Sequence, residues 1–141
     1  MGGRAMARGV EGLTFARGFR WLALLLLCAA YLQGGLNKLL DFEGTLAEMR
    51  LFGLAPEMLV ASVVILLELG ASAMILAGRL RWLGALGLAA FTLLASLLAL
   101  RFWEMPLGQE RVMATNGFFE HLGLVGGFIL VACHDLGRRG G

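Results

Sequence analysis

The chain has 141 residues, enough for one domain, and 59% of them are hydrophobic while only 16% are charged. Soluble domains run near 45–50% and 25%, so a soluble core of this size has no room for so much apolar surface, whereas a bilayer solvates it. The formal charge is +2, which gives no basic field for nucleic acid.

Residues 1–18 are rich in Gly and Arg, with Arg4, Arg8 and Arg17. They read as a disordered basic segment preceding a membrane domain over 19–136, with a basic tail at 137–141. The first apolar run, about 20–40, is long enough to cross a bilayer. It is too long for a signal-peptide core, and three more apolar segments follow. Within it, Gln33 and Asn37 are four apart and share one helix face with Ala29 and Ala30. That stripe is expected to face inward.

The connector at 41–56 carries Phe42, Leu46 and Met49 at helical spacing against Glu43, Glu48 and Arg50. It reads as a short amphipathic helix at the membrane interface, ended by Pro56. The second span, about 57–78, has Glu68 near its middle and Ala61, Ala71 and Ser72 on the same face. The third, about 81–103, has a stripe of Ala85, Ala89, Thr92, Ser96 and Ala99. A polar loop is predicted at 104–115. The fourth span, about 116–134, places Asn116, Glu120, Gly123 and Gly127 on one face.

Positive residues set orientation. Arg4, Arg8, Arg17, Arg20, Arg79, Arg81, Arg138 and Arg139 fall on one side of four alternating spans. Lys38, Arg50, Arg101 and Arg111 fall on the other. Both termini are therefore expected to be cytoplasmic. In lipid, helices associate through close packing and hydrogen bonds. Four faces of small and polar residues turned inward predict an all-α membrane protein, an antiparallel four-helix transmembrane bundle with a short interfacial helix between spans one and two.

Glu68 is the most informative side chain. A carboxylate at mid-bilayer costs about 2.5–3.5 kcal/mol on insertion scales, so it should face inward and find a partner. Gln33 and Asn37 are its expected neighbours. Lys38 and Arg101 should cap the group at the outer boundary, with Asn116, Glu120 and His121 near that level. In this arrangement Glu120 points inward and His121 toward the interface. The ladder predicts an outward-facing polar pocket floored by Glu68, suited to a polar head group or to proton relay. The opposing reading is a hydrogen-bonded lock on the bundle. Cys28 and Cys133 lack metal-ligand or CxxC spacing and read as small buried hydrophobes. No metal site and no tightly bound cofactor are expected.

The stretches GGLNKLLDF from Gly34 to Phe42, LLELGASAMIL around Glu68, LRFW before the second outer loop and NGFFEHLGLVGGFIL from Asn116 to Leu130 resemble the DoxX family of small bacterial and archaeal membrane proteins. The resemblance implies a four-helix membrane fold, with Lys38, Glu68 and Asn116 as shared polar positions. A basic residue is common in the family where Glu120 stands. It also implies a link to redox physiology, through association with thiosulfate–quinone oxidoreductase and oxidative-stress complexes. The expectation is a multi-pass subunit of a redox-linked assembly in the cytoplasmic membrane, with quinone as ligand and an oxidoreductase or a second copy as partner beside lipid. The alternatives are a non-enzymatic scaffold or assembly factor docking through 41–56, and a small transporter. Whether the chain turns over a substrate stays open at this point.

Overall fold

The structure, a computed structural model, describes residues 2–141, with side-chain surroundings given for residue 6 and from residue 8 onward. Met1 lies outside the described residues. Five α-helices follow in chain order: α1 (Gly2–Leu40), α2 (Phe42–Leu51), α3 (Glu57–Ala77), α4 (Arg81–Ala99) and α5 (Gln109–Arg139), with a 3₁₀ turn at Phe102–Glu104 before α5. Helices α1, α3, α4 and α5 are each long and apolar enough to cross a membrane. Leu26, Leu66, Leu94 and Leu130, one on each of them, are 67–72% exposed. In water such side chains would form an untenable apolar belt. In a bilayer they meet lipid.

The helix ends differ from expectation in two places. Residues 2–18 continue α1 rather than forming a disordered segment. No proline interrupts this stretch, and once a helix exists each added residue gains one backbone bond. Its described side chains through Arg20 are all exposed, so nothing in the bundle holds it. At the other side, α5 begins at Gln109, inside the segment expected to be a loop. At ~1.5 Å per residue, both helices exceed the ~30 Å of hydrocarbon.

The core forms where α1, α3, α4 and α5 converge. It is built from Leu24, Cys28, Tyr31, Ala71, Ile75, Ala85, Leu88, Ala89, Phe128 and Ala132. Small residues set the helix spacing. A Cβ on Gly84 would lie 2.8 Å from the Ala71 carbonyl oxygen, and one on Gly35 would lie 2.8 Å from Leu69 Cγ and 3.2 Å from Glu68 Cβ. So α4 lies almost in backbone contact with α3, and α1 seats Gly35 directly on the Leu69 and Glu68 side chains, which is the close packing lipid favours. Gly84→Ala is expected to destabilise by about 1–3 kcal/mol, because backbone cannot yield as a side-chain tip can. Gly70→Ala, with nothing within 4 Å of the new methyl, is the control. It should leave the melting temperature of detergent-purified protein unchanged or raise it slightly.

At the end of the bundle that carries both termini, the start of α4 is tied to α5. The Trp82 backbone N–H, one of the first-turn donors a helix leaves unpaired, donates to Asp135 Oδ2 at 3.1 Å, and Arg139 Nε donates to the same oxygen at 3.1 Å. Arg81 Nε donates to the Ile75 carbonyl at 2.8 Å.

At the opposite end, α2 is amphipathic as expected. Its N-cap Asp41 accepts from the Gly44 N–H at 3.0 Å. Leu46 and Met49 are buried against Ala61 of α3, with Phe42, Leu54 and Val60 around them. Its apolar side therefore rests on the bundle. Thr45 Oγ1 reaches back to the carbonyls of Lys38 (3.1 Å) and Asp41 (2.9 Å), fastening α2 to the end of α1.

The inward faces of α3 and α4 are those expected except at one position: Ala61, Glu68, Ala71, Ser72, Ala85, Ala89, Thr92 and Ser96 are all buried, whereas Ala99, the last residue of α4, is exposed at the helix end. Those of α1 and α5 are not. Gln33, Asn37, Ala29 and Ala30 are exposed, as are Asn116, Glu120 and Gly123. The inward face of α1 is instead Leu24, Cys28, Tyr31 and Gly35, and that of α5 is Ala114, Phe128 and Ala132. Both helices offered two plausible faces. The one used lets Gly35 approach α3 and stacks Phe128 edge-on to Tyr31, ring centroids 5.3 Å apart. Cys28 is fully buried but Cys133 is exposed, correcting its expected burial; both thiols are free.

Candidate functional site

A cavity of about 440 Å³ occupies the half of the bundle nearer α2, called the outer half below for its distance from the termini. Its walls come from every helix: Gly34 and Lys38 of α1, Met49 of α2, Glu68 of α3, Phe91 and Ala95 of α4, Leu124 of α5. Leu94 and Leu98 also line it and are exposed on the flank of α4. The cavity thus reaches the lipid-facing exterior as well as the α2 end.

Lys38 and Glu68 meet inside it. Lys38 Nζ stands 3.2 Å from Glu68 Oε1 and 3.1 Å from Oε2, with side-chain exposures of 22% and 7%. Helix direction explains why two residues at different depths touch. Every Cα–Cβ bond leans toward its helix N-terminus. Since α1 and α3 run oppositely, Lys38 near the outer end leans inward, and Glu68 some 16 Å down its helix leans outward. Gly34 leaves the gap between them open: a Cβ there would already stand 3.4 Å from Glu68 Oε1. Only Oε1 receives a directed hydrogen bond. Oε2 is close enough to Lys38 for charge attraction but has no hydrogen-bond donor, although it is buried. Lys38 thus stands against both carboxylate oxygens, and Oε2 has almost no surface open to the cavity.

Two further polar groups line the cavity. Tyr31 Oη and Thr92 Oγ1 are 2.5 Å apart. Thr92 Oγ1 donates to the Leu88 carbonyl at 2.6 Å. A hydroxyl has one proton, so Tyr31 is the donor in its pair. Ser96 Oγ lies 2.7 Å from both the Thr92 carbonyl oxygen and His121 Nδ1, which ties the imidazole of α5 to α4.

Of the expected site residues, Lys38, Glu68 and His121 come together in this cavity. Gln33 does not neighbour Glu68; it is exposed on the far side of α1. Asn37 lies on a shallow polar surface beside Lys38, Asp41 and Glu48. Arg101 is exposed and pairs with Glu104. Asn116 sits on a separate surface depression with Arg111 and Thr115. At the 120–121 step the orientation is reversed: Glu120 is exposed, while His121 is half-buried and lines the cavity. The sequence reading missed Tyr31 and Glu48, and it took Thr92 and Ser96 only as packing residues. The spacing of Tyr31, Gly34, Gly35 and Lys38, at 0, 3, 4 and 7, was the available signal for that face of α1.

A comparison with family models matches residues 20–101, more than half of the chain, to the DoxX model. The match includes Lys38 and Glu68 and stops before α5. Neither a search of curated proteins nor one of solved structures returns a match. With four helices fit to span a bilayer and that match, the chain belongs to the DoxX family and is a multi-pass membrane protein.

Proposed function

We propose that this chain is the membrane subunit of a redox-linked assembly, and that its outer cavity binds the head group of a quinone or quinol. The observation that carries the reading is the Lys38–Glu68 pair bordering a largely apolar cavity. The size lies in the ~300–1,000 Å³ range of ligand sites, which combine apolar walls with a few placed polar groups. Lys38 supplies a donor for a ring carbonyl. The Glu68 carboxylate holds the Lys38 ammonium at the cavity wall, and the His121 imidazole adds a second polar group to that wall. Phe91 offers an aromatic wall. An opening past Leu94 and Leu98 suits a ligand that arrives through lipid. Such a ligand would bring two-electron redox chemistry; the chain's own groups bind and orient its ring and hold the charge beside it. The DoxX resemblance supports the redox context, and the arginine distribution favours the cytoplasmic membrane with both termini inside.

The rival readings have less support. A scaffold docking through α2 would need its apolar side, which is taken up by Ala61. A transporter would need a path past Tyr31, Ile75, Leu88 and Phe128, all buried in the core of the bundle.

The test is thermal stability of the purified protein titrated with decylubiquinone. Ligand at 100 times its dissociation constant should add about 2.7 kcal/mol. Ala95→Phe, which fills the cavity, should abolish the shift while the unliganded protein still folds. An equal shift in wild type and Ala95→Phe, or no saturable shift in wild type, would sink the reading.

A further inference from the structure

A second cleft, of about 270 Å³, lies between α1 and α5 at the opposite end of the bundle. Its chemistry is unlike that of the outer cavity. Leu24 and Leu27 of α1 and Leu130 of α5 make an apolar floor, and Arg20, Arg81 and Arg138 stand along it. The spacing builds this from both helices. Arg20, Ala23, Leu24 and Leu27 recur at 0, 3, 4 and 7 on α1, and Leu130, His134 and Arg138 recur every four on α5.

The internal bonding leaves the cations free. Asp135, among the described residues the one carboxylate lining the cleft, is engaged by the Trp82 N–H and by Arg139. Arg81 gives only its Nε to the Ile75 carbonyl. Among the described residues, Arg20 and Arg138 have no ion pair and no side-chain hydrogen bond. Three guanidiniums thus face one occupied carboxylate, above a floor of leucines. Guanidinium matches phosphate oxygens in a fork geometry. Basic pockets between transmembrane helices at the cytoplasmic side take anionic lipid head groups.

We infer that this cleft is a binding site for an anionic phospholipid, its phosphate held by Arg20 and Arg138 and its acyl chains lying over Leu24, Leu27 and Leu130. The apolar floor favours a lipid over a free phosphate, and the uncompensated cations favour an anionic lipid over a zwitterionic one. The site is independent of the outer cavity and shares no lining residue with it.

Native mass spectrometry of the full chain in detergent, with added phosphatidylglycerol, phosphatidylcholine or inorganic phosphate, tests the inference. Phosphatidylglycerol should bind saturably and at least tenfold more tightly than phosphatidylcholine. Arg20→Gln combined with Arg138→Gln should weaken it about twenty-five-fold, at roughly a factor of five per arginine. Arg79→Gln, an exposed arginine at the same end of the bundle that neither lines the cleft nor bonds Asp135, should change it little. Equal binding of phosphatidylcholine, phosphate binding as tight as lipid, or an equal loss with Arg79→Gln would each overturn the inference. Decylubiquinone stabilisation should survive the double substitution, so the two sites can fail separately.

Discussion

Lys38→Met is expected to destabilise the protein by about 3–5 kcal/mol, the usual cost of leaving one partner of a buried ion pair uncompensated. The effect should be asymmetric. Glu68 is 7% exposed at its side chain and faces the cavity from mid-span; Lys38 is 22% exposed and sits in the last turn of α1. In Glu68→Gln, the freed ammonium can extend along its flexible stem toward the outer surface. The carboxylate left behind by Lys38→Met has no such route. Glu68→Gln should therefore cost less than Lys38→Met, and Lys38→Met/Glu68→Gln should be more stable than Lys38→Met alone. The double-mutant cycle should return a coupling of at least about 1 kcal/mol. Denaturation of the four proteins in mixed micelles gives all the terms. Equal single losses that simply add would mean that the pair is not formed in the membrane. The same pair joins stability to ligand chemistry: among the described residues Lys38 is the one cationic donor lining the cavity, so in Lys38→Met decylubiquinone should also lose its stabilising effect.

The four-span architecture was legible in the sequence because the bilayer imposes it. Apolar runs of the right length and an arginine bias leave few alternatives. The inward faces of α3 and α4 were legible for a related reason. Glu68 cannot face lipid cheaply, and it carries Ala61, Ala71 and Ser72 round with it. On α4 the stripe from Ala85 to Ser96 was the sole run of small residues. The faces of α1 and α5 were not legible. Gln33 and Asn37, or Asn116 and Glu120, compete with Tyr31 and Gly35, or His121 and Phe128, at the same helical period. What decides between them is tertiary: the closeness of Gly35 to Leu69, and the bond between Tyr31 and Thr92, which are 61 positions apart. The Lys38–Glu68 pair was similarly hidden. Depth counted along the helices separates the two residues, and only the opposite lean of side chains on antiparallel helices brings them together.

Phe128→Ala should be the other large loss, about 3–5 kcal/mol by the scale of buried Phe truncations. The ring is fully buried and sits edge-on to Tyr31. In lipid the transfer part of that cost shrinks, because the unfolded reference is also apolar; the part that remains is lost packing, which is what holds helices together there. The consequence reaches the cavity. Tyr31 is fixed by Phe128 on one side, by Phe91 at 6.5 Å between ring centroids, and by its hydroxyl bond to Thr92. With Phe128 truncated, the tyrosine ring gains room to turn away from Thr92, and the cavity extends into the core. Phe128→Leu keeps most of the volume and should cost roughly 1–2 kcal/mol. Decylubiquinone should accordingly bind Phe128→Leu nearly as well as wild type and bind Phe128→Ala more weakly, with melting curves and ligand titrations read on the same samples. If Phe128→Ala is as stable as Phe128→Leu, the close packing of α5 against Tyr31 does not hold the bundle, and the shape of the outer cavity is set by α3 and α4 alone.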